Sequence, residues 1–282
     1  MIIDAHHHLW KVDRGDYFWL DVQRDPAQAV LNRDFGVEEY RALAEEFGIA
    51  GSVVVQAAQT GAETHWLLQQ AAGSDGLIRG VVGWVDMTAA DGPERLAALA
   101  DNRLLVGIRP MLQDIADVDW MLQKKLHPVY RALIDMRLRF DLLIRPPHLK
   151  NALTLLARYP EMRVVIDHGA KPAIARGAWH PWADEIRRIA NETGAYCKLS
   201  GLVTEATTDW DAEQLRRYVE HLAGCFGPQR LLWGSDWPVA LMASDYGRWL
   251  ETARGLLSEL SSAAREAIFG ANAIRFYGMD TR

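Results

Sequence analysis

Four side chains could carry acid–base or metal chemistry if the fold gathered them: His6, His8, His168 and Asp236. Neutral imidazoles and a carboxylate suit a divalent ion, zinc above all, with one position open for water. Without an ion, the carboxylate can take a proton from water while the imidazoles polarise a carbonyl. Each candidate closes a short apolar run, and strand faces alternate, so Asp4, His6 and His8 share one side of the first run while Ala5 and His7 share the other.

Eight such β-rich runs punctuate the chain: Ile2 to His6, Gly51 to Gln56, Arg79 to Val85, Leu105 to Pro110, Arg139 to Ile144, Arg163 to His168, Ala195 to Ser200 and Leu231 to Asp236. Between them lie segments with helical period, such as Val37, Tyr40, Leu43, Ala44 and Phe47, or Leu215, Tyr218, Val219 and Leu222. Strands alternating with helices imply parallel pairing, and eight units is the number that closes a (β/α)8 TIM barrel. No glycine-rich phosphate fingerprint follows the first run, which disfavours an open doubly wound sheet.

The expected last inward residues are His6 or His8, Gln56, Trp84, Arg109, His168, Lys198 or Ser200, and Asp236, above apolar layers that include Val54, Val82, Val164, Ile166 and Leu232. Polar groups thus collect at the C-terminal mouth, where such barrels place their chemistry. The connection from Leu9 to Val37 is long for a compact domain and carries Trp10, Tyr17, Phe18 and Trp19, as a binding loop or lid would. Ser244 to Gly278 is expected to form two closing helices, with Ser261 or Ser262 as an N-cap.

The chain, 282 residues with 49% hydrophobic and 24% charged residues, reads as one globular domain over 1–282. A formal charge of −6 offers no basic footprint, so neither nucleic acid nor an anionic membrane is an expected partner. No apolar run reaches the ~20 residues that span a bilayer and no leader pattern opens the sequence, so a cytoplasmic location is expected. Cys197 and Cys225 are too few and too poorly patterned for a disulfide framework or a thiolate zinc site.

Four motifs carry a resemblance: Ile3-Asp4-Ala5-His6-His7-His8, Val165 through Pro172 (Val-Ile-Asp-His-Gly-Ala-Lys-Pro), Gly234-Ser235-Asp236-Trp237-Pro238, and Asn272 through Gly278. In this order and at these strand ends, the chain resembles the amidohydrolase superfamily from end to end. Within it the chain is most similar to the lactonase group that includes L-fuconolactonase, L-rhamnonolactonase and 2-pyrone-4,6-dicarboxylate lactonase. Two-metal members carry a bridging lysine at the end of strand four and a histidine at the end of strand five. Here strand four ends in Arg109 and strand five reads Leu142-Leu143-Ile144-Arg145, and a guanidinium cannot ligate a metal. The resemblance therefore implies either no required cofactor or one divalent ion held by His6, His8 and Asp236.

The expected reaction is hydrolysis of a small-molecule sugar lactone, L-fucono-lactone-like, to the aldonic acid. Asp236 would act as general base, with a pKa raised by the apolar wall, while His168, His6, His8 and Arg109 assist at the water and the carbonyl. Arg109 could instead pair with Asp236 or Asp141, and Asp4 would lie one inward layer deeper. Trp19, Gln56, Gln59, Trp84, Lys171 and Trp237 are the expected substrate contacts, since aromatic faces suit the C–H faces of a sugar. A dicarboxylate would want several arginines at the mouth, and Arg109 is the only one at an inward strand end. A zinc-dependent decarboxylase and a non-catalytic sugar-binding barrel are the rival readings. Oligomeric state is not legible.

Overall fold

In the computed structural model, which describes residues 1–279, eight strands form one parallel sheet in sequential order. They are β1 (Ile2–His7), β2 (Ile49–Val55), β3 (Ile78–Gly83), β4 (Leu105–Ile108), β5 (Arg139–Leu142), β6 (Arg163–Ile166), β7 (Tyr196–Leu199) and β8 (Leu231–Trp233). The sheet closes between its first and last strands: His7 pairs in parallel with Trp237, the Asp236 N–H donates to the His6 carbonyl at 2.8 Å, and the His8 N–H donates to the Trp237 carbonyl at 2.7 Å. This is a (β/α)8 barrel.

Crossover helices α1 (Val37–Phe47), α2 (Gly61–Ala72), α3 (Gly92–Ala100), α4 (His127–Asp135), α5 (Leu149–Arg158), α6 (Trp182–Glu192) and α7 (Ala212–Phe226) surround it. After β8 come α8 (Tyr246–Leu256), α9 (Ser262–Glu266), one π-helical turn and α10 (Asn272–Tyr277). Side-chain caps fix where several helices begin: Thr60 accepts from the Glu63 N–H, Asp211 from Gln214, Asp245 from Arg248, and Ser261, as expected, from Ala264.

Two apolar layers flank the sheet. Inside lie Ile3, Ala5, Val53, Val55, Val82, Val106, Val165 and Leu232, with Phe276, Tyr277 and Met279 packed against them from the chain's end. Outside, a larger core joins strands to helices and includes Val54, Val164 and Ile166. Val82 and Leu232 face inward as expected, whereas Val54, Val164 and Ile166 do not. Parallel strands buried on both faces are apolar on both, so alternation there carries no phase.

A register shift on β1 has larger consequences. Asp4 pairs with Ser52 while His7 pairs with Val54, three residues against two, which marks a bulge. Ala5 and His6 consequently both serve the interior, and Asp4 faces outward, correcting its expected inward position. There it accepts hydrogen bonds from Tyr40 of α1 and Tyr246 of α8.

Candidate active site

The residues expected at the mouth stand one to three positions beyond their strands: His8 after β1, Arg109 after β4, His168 after β6 and Asp236 after β8. Sharp turns aim two of them. His168 and Asp236 have φ of 54° and 56°, left-handed values that non-glycine residues rarely adopt. Gly201 makes room beside them: a Cβ there would lie 2.4 Å from His168 Nδ1 and 2.9 Å from an Asp236 carboxylate oxygen. Gly234 lets β8 pass against His6, whose Cβ would be 2.7 Å from an added methyl.

Three imidazoles converge on one carboxylate oxygen. Asp236 Oδ1 lies 3.3 Å from His8 Nε2, 3.6 Å from His6 Nε2 and 3.9 Å from His168 Nε2. All four side chains are at most 4% exposed. Burial drives the imidazole pKa values down, to about 4 for His168, so the rings are neutral near pH 7. Burial opposes ionisation of Asp236 too, but His168 and His6 beside it prevail and hold its carboxyl well below the usual range. This corrects the expectation of a raised pKa: the apolar wall is outweighed by the polar ring above it.

Beneath His6 runs a second polar layer, which joins Lys198, expected as an inward strand end, and Asp141, expected as a possible partner of Arg109, to Asp167, which the sequence pattern did not single out. Lys198 Nζ lies 2.5 Å from Asp141 Oδ2, 3.0 Å from Asp167 Oδ1 and 3.0 Å from His6 Nδ1, and all of these side chains are fully buried. Tyr277 donates to Asp141 at 2.8 Å. Desolvation lifts the Asp141 pKa to about 6, whereas Lys198, His6 and Arg109 overcome it at Asp167 and keep that carboxyl well below its ordinary value. Position next to His168 in the Asp167-His168-Gly169 turn was the one signal that could have found Asp167.

Arg109 pairs with Asp167 at 3.2 Å, neither with Asp236 nor with Asp141, and its Nη1 also stands 3.3 Å from His6 Nε2. Its Nη2 donates to the Gln56 carbonyl while the Gln56 amide donates to the Arg109 carbonyl at 2.6 Å. Both terminal nitrogens are thus engaged, so the expected fork toward substrate does not stand free. Gln56 braces Arg109 instead of lining the mouth.

The remaining expected contacts separate. Trp237 is buried against Phe35 and Tyr40 behind the wall, because the turn after Asp236 sends it outward. Gln59 is exposed, Trp84 is half-buried, and Lys171 is held 3.3 Å from Glu205, which Arg145 also approaches at 3.8 Å. In the long first loop, Trp10 is fully buried and donates to the Leu31 and Arg33 carbonyls, so it is the loop's own core. Trp19 is half-buried, stacks edgewise on Trp10 at 5.5 Å, and donates at 2.7 Å to Ala57, next to Gln56 at the end of β2. The loop therefore leans on the mouth through Trp19.

His6, His8 and Asp236 also meet the distance test for one ion. Their nearest ligand atoms are 3.2, 3.3 and 3.6 Å apart, and a tetrahedral ion with bonds of about 2.0–2.1 Å separates its ligands by roughly 3.3 Å. The His8 Nδ1–H donates to the Val55 carbonyl at 2.7 Å, which turns its Nε2 lone pair toward this point. A second group, His6 with Asp167 and His168, is crossed by Lys198 and Arg109, whose cations occupy both Asp167 oxygens. The donor set suits at most one ion. Among the described residues, no helix is long and apolar enough to cross a membrane.

The chain resembles known proteins along nearly its whole length. It is 40% identical to an L-fucono-1,5-lactonase of Burkholderia ambifaria, covering 99% of this chain and 96% of that protein. It is 33% identical to an L-fucono-1,5-lactonase of Burkholderia multivorans over 98% of this chain and 96% of that one. The crystal structure of an amidohydrolase from Burkholderia multivorans with bound zinc superposes with a TM-score of 0.91 at 33% identity, covering 99% of each chain. Residues 3–279 match the model of the amidohydrolase family described as Amidohydro_2, and the chain belongs to that family.

Proposed function

We propose that this protein hydrolyses a sugar-derived lactone of the L-fucono-lactone type to its aldonic acid. The observation that carries this reading is Asp236: an ionised, buried carboxylate at the barrel mouth, surrounded by three neutral imidazoles on one oxygen. Simple sugar binding has no use for such a base. The lactonase names of two relatives that match across the chain favour ester hydrolysis over decarboxylation.

Asp236 takes a proton from the attacking water, and His168 fixes that water through its Nε2 while its Nδ1 is held by the Ser200 hydroxyl at 2.9 Å. The oxyanion that forms is stabilised by His6, with the Arg109 charge 3.3 Å from its Nε2, groups that need no reorganisation as charge develops. Collapse of the tetrahedral intermediate breaks the bond to the ring oxygen, which receives the proton that Asp236 took from water, and the carboxylate is regenerated. One divalent ion, zinc for preference, would be held by His6, His8 and Asp236 and would polarise the carbonyl and acidify water. Trp19 and Trp84, both half-buried, are the candidates for the sugar face, with Lys171, held 3.3 Å from Glu205, as a further contact.

Charge supports a neutral substrate. Arg109 is engaged by Asp167 and Gln56, and Arg145 is paired with Glu205, so among the described residues no free arginine pair stands at the mouth for a dicarboxylate. A panel of aldonolactones followed by acid release tests the assignment: the fastest turnover should be for L-fucono-lactone or a closely related deoxy or galacto-configured lactone. Faster turnover of 2-pyrone-4,6-dicarboxylate than of any sugar lactone would refute it.

A further inference from the structure

His6 is gripped from below. Its Nδ1 lies 3.0 Å from Lys198 Nζ, and that ammonium is itself held between Asp141 and Asp167. A lysine ammonium has three donors and no acceptor, so the nitrogen it faces must offer a lone pair. A neutral imidazole has one such nitrogen, and its proton then sits on the other.

We propose that Lys198, by donating to Nδ1, fixes His6 as the Nε2–H tautomer and makes it a hydrogen-bond donor inside the active site. The surroundings of Nε2 agree. His8 Nε2 is 3.2 Å away and is a lone pair, because the His8 proton is committed to the Val55 carbonyl at 2.7 Å. Asp236 Oδ1 is a further acceptor at 3.6 Å. The opposite tautomer would aim Nδ1–H at the Lys198 ammonium, leaving only Asp167 Oδ1, at 3.5 Å, to accept it. Arg109 Nη1, 3.3 Å from Nε2, has its own acceptor in Asp167 at 3.2 Å and does not need the His6 lone pair.

Lys198 is thus a positioning residue. Fully buried beneath His6, it decides whether His6 presents a proton or a lone pair to the carbonyl oxygen. Presenting the proton suits the developing oxyanion, a step that rests on the lactonase reading; the tautomer itself does not. The assignment is that of the ion-free site: with an ion on Nε2 the proton would move to Nδ1, where Asp167 Oδ1 at 3.5 Å would accept it.

The first test needs no substrate and reads the wild-type network. In histidine-15N-labelled wild-type protein, with the His6 signals identified by their loss in His6→Gln, long-range proton–nitrogen correlation should show Nδ1 unprotonated and Nε2 protonated. A proton on Nδ1 would overturn the proposal whatever the protein hydrolyses. In Lys198→Met, the His6 pattern should shift toward Nδ1–H, and kcat for the best aldonolactone should fall about tenfold or more with KM changed less than about threefold, the signature of a lost transition-state donor. Lys198→Arg, which keeps a donor without an acceptor, should retain the wild-type pattern. A merely structural lysine would lower the melting temperature of Lys198→Met and leave the His6 nitrogen pattern unchanged, which would also overturn the proposal.

Discussion

Asp4 on β1 holds Ser235, the residue before Asp236, through both its backbone N–H at 2.9 Å and its hydroxyl at 2.6 Å. The same carboxylate accepts the His6 N–H at 3.2 Å and the hydroxyls of Tyr40 and Tyr246 at 3.1 Å each. One buried side chain outside the barrel wall thereby joins the strand that carries His6 and His8 to the turn that carries Asp236. Asp4→Asn would set an amide against three hydroxyl donors at one oxygen, so it should cost about 3 kcal/mol of unfolding free energy. Urea denaturation of the variant checks this; an unchanged midpoint would show that the barrel seam does not depend on Asp4.

Activity and stability should respond differently to acid. Asp236 stays ionised and His168 stays neutral down to about pH 4, so kcat/KM should be level from pH 7 to about pH 5 and decline only near 4. An acid limb centred at 6.5 would mean that His168 titrates like a free imidazole.

For stability the sign is set by the unfolded chain. His168 binds its proton at about 4 when folded but near the ordinary 6.5 when unfolded, so the unfolded state gains protons first as pH falls. The contribution is intact above about 6.5, is lost between 6.5 and 4, and amounts to at most about 3 kcal/mol. Urea midpoints at pH 7 and pH 5 for the wild type and His168→Gln measure it: the gap between the two pH values should shrink in the variant.

The first loop yields opposite outcomes for its two tryptophans. Trp10→Ala removes a fully buried side chain and should destabilise by about 3–5 kcal/mol. Trp19→Ala removes the half-buried ring anchored on Ala57 and should raise KM for a six-carbon aldonolactone more than it lowers kcat, as a contact made equally in ground and transition states does. Thermal melts and steady-state kinetics separate the two; equal KM values for wild type and Trp19→Ala would remove the loop from substrate binding.

Elemental analysis of the purified protein should find no more than one divalent ion per chain, because Lys198 and Arg109 occupy the oxygens of Asp167 that a second ion would need. Two tightly held ions, with activity lost on chelation and restored by metal, would contradict that account of the charges.

Much of this architecture was legible from residue order. Eight apolar runs with helical segments between them specified the barrel, and strand ends located His6, His8, Arg109, His168 and Asp236 at one mouth. Facing was less legible. The β1 bulge inverted the expectation for Asp4, and valine-rich β2 and β6 gave no phase because both their faces are apolar. Left-handed turns at His168 and Asp236 carry no periodic signal, so neither the aim of His168 nor the outward swing of Trp237 could be inferred. Lys198 was expected at an inward strand end and Asp141 as a possible partner of Arg109, but Asp167 and the ion pairs that join the three escaped, because isolated charges in strands look like surface residues until the partners that neutralise them are known.

The central claim is that Asp236 is the base, and turnover by Asp236→Asn measures it most directly. The substitution preserves the shape of the side chain, so the melting curve should remain cooperative with a folded baseline. Turnover of the preferred aldonolactone should then fall by at least ~10²-fold, as removal of a general base does. Near-normal turnover in the well-folded variant would remove Asp236 from the mechanism and with it the account of the site.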